Sequence, residues 1–166
     1  MSGTTPCLRH PCAGWRRSTW GANVQATTQA IEVRKLLPAL GAEILGVDLQ
    51  QPLGDETFQQ ILNAWHENLV ILLRNQSLTE EQQWQFGTRF GPLSGGYIRE
   101  LETPDHEGVL YVTNVREKDG KPLVGILPDG EMHFHSDQSY TEKPSQGTML
   151  YAIKVPREGG NTSIAS

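Results

Sequence analysis

The hydrophobic pattern of the chain changes at Gly91-Pro92, and this change limits the folds that the sequence can adopt. Before it, two stretches carry apolar residues three and four positions apart, the period of a helix with one buried face. After it, glycine and proline separate short runs in which apolar and polar residues alternate, as in β-strands. The sequence therefore predicts an α+β fold that is mainly β, with an N-terminal helix-and-strand piece.

The N-terminal piece contains signals for two helices and three strands. Asp55 is predicted to cap a helix, and Thr79-Glu80-Glu81-Gln82 has the form of a capping box that opens a second helix ending at Gly91-Pro92. The apolar face of the first helix consists of Phe58, Ile61, Leu62 and Trp65. The three strands are predicted near residues 31–33, 43–48 and 70–73.

The second half is predicted to contain only strands. Turn signals lie at Asp119-Gly120, Pro128-Asp129-Gly130 and Gly159-Gly160. The strands predicted between and around these turns are residues 110–115, 131–137, 148–155 and 161–165.

Length and composition exclude several classes of protein. The 166 residues correspond to one domain, and the net charge of −5 without a basic stripe argues against a nucleic-acid partner. The longest clear apolar run, residues 69–73, is far shorter than the roughly 20 residues of a membrane-spanning helix. Both cysteines, Cys7 and Cys12, lie in a segment (residues 1–30) that lacks acidic residues and periodicity. We therefore expect a disordered extension at residues 1–30 and a cytoplasmic protein without a disulfide framework.

Two side chains near the end of the predicted strand 131–137 are of the types that bind metals. His135 and Asp137 lie two positions apart, so on an extended strand they point the same way, about 7 Å apart along the chain. An imidazole and a carboxylate suit a borderline first-row metal, and with one further ligand they form the facial triad of non-haem iron(II) oxygenases. The alternative is a hydrogen-bonded surface pair, because His-x-Asp is a common tripeptide.

Four further polar residues are possible site residues: His133, His66, His106 and Asn114. His133 shares a face with His135, but three such ligands in a row span about 13 Å and cannot all bind one ion, which also disfavours a zinc hydrolase site. His133 is interpreted as a residue at the rim of the site. His66 is interpreted as a partly buried structural histidine, and His106 as part of a solvated loop rather than a lid. Asn114 either satisfies a backbone group or points into a pocket.

Several ordered motifs together resemble the taurine dioxygenase family of iron(II)- and 2-oxoglutarate-dependent oxygenases. The resemblance covers roughly residue 31 to the last residue, and Phe134 stands where the family usually has tryptophan. The motifs are residues 41–49, 72–76, 86–91, 112–115, 134–140 and 150–162.

The resemblance implies a double-stranded β-helix, or cupin-like jelly roll, with iron at one open end. It implies that His135 and Asp137 are the first two iron ligands, that Thr162 hydrogen-bonds 2-oxoglutarate, and that Asn114 lies near the co-substrate or substrate. The implied reaction is hydroxylation of a small organic acid by dioxygen, with decarboxylation of 2-oxoglutarate to succinate.

One departure from the family concerns the third iron ligand. In the family this ligand is a histidine far downstream, followed by an arginine that binds 2-oxoglutarate, and no histidine follows Asp137 in this sequence. We therefore expect residues 31–166 to be a partial domain with an incomplete jelly roll, inactive by itself and prone to form homo-oligomers through unpaired strand edges. The alternative is a catalytically dead, cupin-like binding or assembly module.

Overall fold

The computed structural model describes residues 30–95, 103, 105–113 and 133–166. The regular elements are β1 (Glu32–Lys35), β2 (Ala42–Leu45), α1 (Asp55–Asn68), β3 (Ile71–Leu72) and α2 (Glu80–Thr88). The two helices and three strands predicted for the first half are confirmed. All but one residue of the predicted extension lies outside the described residues. Neither helix in the described part of the chain has the length and apolar composition needed to cross a bilayer.

The three strands form one mixed sheet in the order β1-β2-β3. β1 and β2 are antiparallel, with Glu32 opposite Leu45, whereas β2 and β3 are parallel, with Ala42 opposite Ile71. A parallel pair needs a long crossover, and α1 provides it. Ala42 and Ile44 on β2 are buried and alternate with partly exposed residues, so one face of the sheet is covered.

The core lies between the covered face of the sheet and the two helices. Ile61 of α1 is completely buried. The helices meet through aromatic rings, with Phe58 and Phe86 edge to face at 6.4 Å and Phe90 at 5.0 Å from Phe58. The buried core residues are Ile44, Val47, Leu49, Phe58, Ile61, Ala64 and Phe86.

The two helix starts differ in how they are capped. α2 has the predicted capping box, in which the Thr79 hydroxyl accepts from Gln82 N and the Gln82 side chain accepts from Thr79 N. The prediction that Asp55 caps α1 is wrong, because Gly54 occupies the cap position and Asp55 is the first helical residue. The Asp55 carboxylate instead pairs with Arg89 Nη2 at 2.7 Å, which joins the start of α1 to the end of α2.

The second half differs from the prediction. Residues 133–166 contain no strand, so the strands predicted at 148–155 and 161–165, and the described part of 131–137, are wrong. Of the predicted strand 110–115, Leu110 forms one isolated bridge and residues 114–115 lie outside the described part. A strand requires a neighbour that pairs with its backbone, and no described residue pairs with these segments in a ladder. The jelly roll therefore stays a prediction.

Candidate functional site

The structure brings His135 and Asp137 together. His135 Nε2 lies 3.4 Å from Asp137 Oδ1, and both side chains are about half exposed. The chain at His135 has no regular structure, and a turn at residues 137–140 begins at Asp137. In that turn Ser139 N donates to Ser136 O at 3.3 Å. The pair predicted from spacing is thus adjacent in space, at the start of a turn instead of on a strand.

A backbone contact indicates which ring nitrogen of His135 donates a hydrogen bond. His135 Nδ1 lies 2.9 Å from the carbonyl oxygen of His133. A carbonyl only accepts hydrogen bonds, so Nδ1 carries the proton in this contact. In the neutral ring Nε2 then carries a lone pair that can bind a metal, and it faces Asp137. A hydrogen bond from the other ring nitrogen to a carbonyl oxygen is what orients metal-binding histidines.

The donor set fits a divalent first-row metal. A neutral imidazole nitrogen and a carboxylate oxygen both bind such ions at about 2.0–2.2 Å, so two ligands of one ion lie roughly 3 Å apart. The 3.4 Å between His135 Nε2 and Asp137 Oδ1 is close to that separation. Among the described residues, no group of three or more His, Cys, Asp or Glu side chains is placed to hold a metal. A metal with three protein ligands would therefore need one that is not placed beside this pair among the described residues.

Three hydrogen bonds that the sequence did not reveal hold the turn that carries Asp137. The hydroxyl of Thr148 donates to Asp137 Oδ2 at 2.6 Å. Gln138, in the left-handed region with φ 54°, accepts from the Ser145 hydroxyl at 2.8 Å and donates from Nε2 to the Ser94 hydroxyl at 3.1 Å. These partners are 7 to 44 residues from Gln138 in sequence, so no local motif predicted them.

The other predicted site residues are not brought into this pair. Thr162 lies in an exposed segment without regular structure, and its role at 2-oxoglutarate stays a prediction. Asn114 lies outside the described residues. His133 contacts the pair through its backbone oxygen, and its side chain is exposed, as expected of a rim residue. Phe134 is 73% exposed.

His66 and His106 differ from their predicted settings. His66, expected to be partly buried, is exposed near the end of α1, with its ring 5.4 Å from that of Trp65. The prediction that His106 lies in a solvated loop is wrong, because only 14% of its side chain is exposed. His106 packs on the first turn of α2, where Nδ1 contacts Glu80 at 2.6 Å and Nε2 contacts Glu81 at 2.5 Å.

The contacts around His106 shift four pKa values. The hydrogen bonds to Glu80 and then to Glu81 raise the pKa of His106 above its ordinary value of 6.5. The same bonds are the main cause that lowers the pKa of each glutamate below 4.5. Tyr111 donates to Glu80 Oε2 at 3.0 Å, and this bond raises the pKa of its phenol. A protonated His106 thus joins the segment 105–111 to α2.

Comparison with known proteins places the chain among oxygenases. Residues 32–166 match the family described as "Taurine catabolism dioxygenase TauD, TfdA family". The chain is 30% identical over 144 residues to the alpha-ketoglutarate-dependent 2,4-dichlorophenoxyacetate dioxygenase of Cupriavidus pinatubonensis, covering 81% of this chain and 50% of that protein. It is 32% identical over 136 residues to the (S)-phenoxypropionate/alpha-ketoglutarate-dioxygenase of Sphingobium herbicidovorans, covering 82% of this chain and 45% of that protein.

A solved structure gives a partial match. The putative alpha-ketoglutarate-dependent taurine dioxygenase of Burkholderia xenovorans is 34% identical, with a TM-score of 0.48 over 54% of this chain and 32% of that one. The chain spans about half the length of the two curated relatives. The family match extends over most of the sequence and includes both His135 and Asp137. The chain belongs to the taurine catabolism dioxygenase family, TauD and TfdA type.

Proposed function

We propose that this chain supplies part of the active site of an Fe(II)- and 2-oxoglutarate-dependent dioxygenase. The reaction would hydroxylate a small organic substrate with dioxygen while 2-oxoglutarate loses carbon dioxide and becomes succinate. The observation that carries the proposal is the approach of His135 Nε2 and Asp137 Oδ1 to 3.4 Å, in a chain that matches the family over residues 32–166. Two relatives named for alpha-ketoglutarate dependence support the choice of co-substrate.

The proposed roles of the side chains follow from their chemistry. His135, through Nε2, and Asp137 would hold the iron, which supplies the oxidative chemistry when bound. Thr162 would donate a hydrogen bond to 2-oxoglutarate, and Asn114 would lie near the co-substrate. The flat ring of Phe134 would form an apolar wall beside the first ligand.

We also propose the domain arrangement that the family suggests. Residues 31–166 would be part of a jelly-roll oxygenase domain, and residues 1–30 an extension outside it. The helical layer of α1 and α2 would pack outside that jelly roll. The anchoring of the turn 137–140 to the segment after α2 is consistent with this arrangement, since Gln138 bonds to Ser94.

The substrate class follows from the relatives by analogy. Two similar curated proteins are named for 2,4-dichlorophenoxyacetate and for (S)-phenoxypropionate, which are both aryloxy acids. A small organic acid is therefore the proposed substrate class. Its carboxylate would need a cationic or hydrogen-bonding partner in the site.

The test is succinate formation by a chimera in which this chain is joined to the carboxy-terminal half of the Cupriavidus relative. We expect iron-dependent succinate release from 2-oxoglutarate, which is lost in His135→Ala and Asp137→Ala chimeras and reduced in a Thr162→Val chimera. Release should increase when 2,4-dichlorophenoxyacetate or another aryloxy acid is added. A chimera that folds and retains full turnover without His135 or Asp137 would contradict the proposal.

A further inference from the structure

The two carboxylate oxygens of Asp137 have different neighbours. Oδ1 lies 3.4 Å from His135 Nε2, whereas Oδ2 accepts the hydroxyl hydrogen of Thr148 at 2.6 Å. A carboxylate with one oxygen held by a fixed donor loses much of its freedom to rotate. The other oxygen is then presented in one direction, toward His135.

The backbone on both sides of Thr148 is packed against the helices. A Cβ added to Gly147 would lie 2.5 Å from Cζ2 of Trp65, so the chain at this point lies directly on the α1 ring. A Cβ added to Gly87 of α2 would lie 3.2 Å from Cε of Met149. Each of the two residues that flank Thr148 therefore contacts one helix of the N-terminal piece.

Tyr151, two residues after Met149, also contacts the N-terminal piece. The Tyr151 hydroxyl accepts from Leu78 N at 2.9 Å and lies 3.4 Å from the Gln76 carbonyl oxygen. Odd-numbered positions 147, 149 and 151 thus face the helical piece. Thr148 and Leu150 face the other side, where Leu150 is exposed and the hydroxyl of Thr148 contacts the proposed metal ligand.

We infer that Thr148 is a positioning residue for the metal carboxylate, which it connects to the helical core. This inference rests on the proposed function, because it assigns Thr148 a role at the same metal site. Partners that hydrogen-bond to a ligating carboxylate orient it, and their loss typically weakens metal binding about 10- to 100-fold. About half of the Asp137 side chain is exposed. Without the Thr148 hydroxyl this side chain would therefore sample several rotamers in which Oδ1 is turned away from His135.

The test is a titration of the chain with Mn(II). The concentration of free Mn(II) is measured from its electron paramagnetic resonance signal. Mn(II) can replace iron(II) in this titration because it accepts imidazole and carboxylate ligands. We expect Thr148→Val, which removes the hydroxyl but keeps the shape, to weaken Mn(II) affinity about 10-fold. Thr148→Ser, which keeps the hydroxyl, should restore affinity to within about twofold of the wild type.

Two controls separate positioning from a general structural effect. Thr141→Val removes a hydroxyl that donates to the Gln138 carbonyl oxygen in the same turn, and it should leave Mn(II) affinity unchanged. In an Asp137→Asn background, Thr148→Val should cause no further loss, because the two residues act through one contact.

Two results would overturn the inference. One rejects only the role of Thr148, and the other also rejects the metal site. If Mn(II) binding depends on Asp137 but Thr148→Val binds as tightly as the wild type, the positioning role is rejected and the metal site stands. If Asp137→Asn leaves Mn(II) binding unchanged, the metal site fails and the role of Thr148 fails with it. Far-ultraviolet circular dichroism of each variant confirms that it is folded, and Thr148→Ala provides a second hydroxyl-free variant.

Discussion

Residues 30–95 and residues 133–166 differ in what holds them in place. The first region has its own core, in which Ile61 is completely buried between a sheet and two helices. The second carries the proposed ligands but has no strand or helix, and Ile153 is 71% exposed. It is attached by a few specific contacts, such as those of Gly147 and Tyr151 with the first region. The buried core and the proposed metal ligands thus lie in different parts of the chain.

The largest expected difference is between two isoleucines. Ile61→Ala should lower the free energy of unfolding by about 2–5 kcal/mol, because it leaves a cavity in the core. Ile153→Ala should change it by less than about 0.5 kcal/mol, since that side chain is mostly exposed. Denaturant unfolding of both variants measures the contrast. Equal losses at the two positions would show that residues 133–166 have a core of their own.

A second contrast compares two threonines. Thr79→Ala removes the capping box of α2 and should cost about 1 kcal/mol of stability. Thr162→Ala, in the exposed segment, should leave the free energy of unfolding unchanged. Thermal unfolding followed by circular dichroism compares them. A loss at Thr162 comparable with that at Thr79 would indicate a structural role for Thr162 instead of the proposed one.

A smaller and pH-dependent effect is expected at His106. Its raised pKa means that its contribution to stability is complete below the ordinary value of 6.5 and is lost as the pH rises through the raised value. The lowered pKa values of Glu80 and Glu81 mean that their contribution is complete above 4.5 and is lost as the pH falls through the lowered values. The attachment of the segment 105–111 to α2 is therefore strongest between these two limits.

The measurement is the difference in unfolding temperature between wild type and His106→Gln across pH 4 to 9. We expect the difference to be greatest between the ordinary values of 4.5 and 6.5 and to shrink on either side. His66→Gln is the matched control, because His66 is exposed and forms no ion pair with a carboxylate in the part of the chain that the structure describes. A difference for His106→Gln that does not vary with pH would contradict the charged contact.

The smallest expected effect is a gain in stability. Leu69 follows α1 with φ 65°, a conformation that strains a residue with a Cβ. Leu69→Gly should stabilise the protein by about 0.5–1 kcal/mol, because relief of this strain outweighs the added entropy of the unfolded chain. Leu37→Gly, at an exposed position without positive φ, should lose a few tenths of a kcal/mol. A loss of stability in Leu69→Gly would contradict the strain.

The features that the sequence predicts correctly are formed by residues that are close together in the chain. The capping box of Thr79 and Gln82 spans four residues, and α1 is recognisable from apolar residues at helical spacing. The pairing of His135 with Asp137 is equally local, since only one residue separates them in the chain. The cap of α1 was missed because Gly54 and Asp55 are adjacent and only backbone angles distinguish their roles.

The features that the sequence does not predict depend on partners that are far apart in the chain. The strand at 148–155 was predicted from alternation alone, but alternation does not specify the neighbour with which a strand pairs. Thr148 was part of that predicted strand, and its contact with Asp137 is fixed by the packing of Gly147 on Trp65. The burial of His106 likewise depends on glutamates 25 and 26 residues earlier in the chain.

The most direct test of the proposed site is anaerobic calorimetric titration of the chain with Fe(II). The variants are His135→Ala, Asp137→Ala and His133→Ala, and the last keeps the backbone oxygen that accepts from His135 Nδ1. We expect the first two to weaken Fe(II) binding by about 10-fold or more and His133→Ala by less than about twofold. Equal affinities in all four proteins, or a loss in His133→Ala as large as that in Asp137→Ala, would contradict a site built on His135 and Asp137.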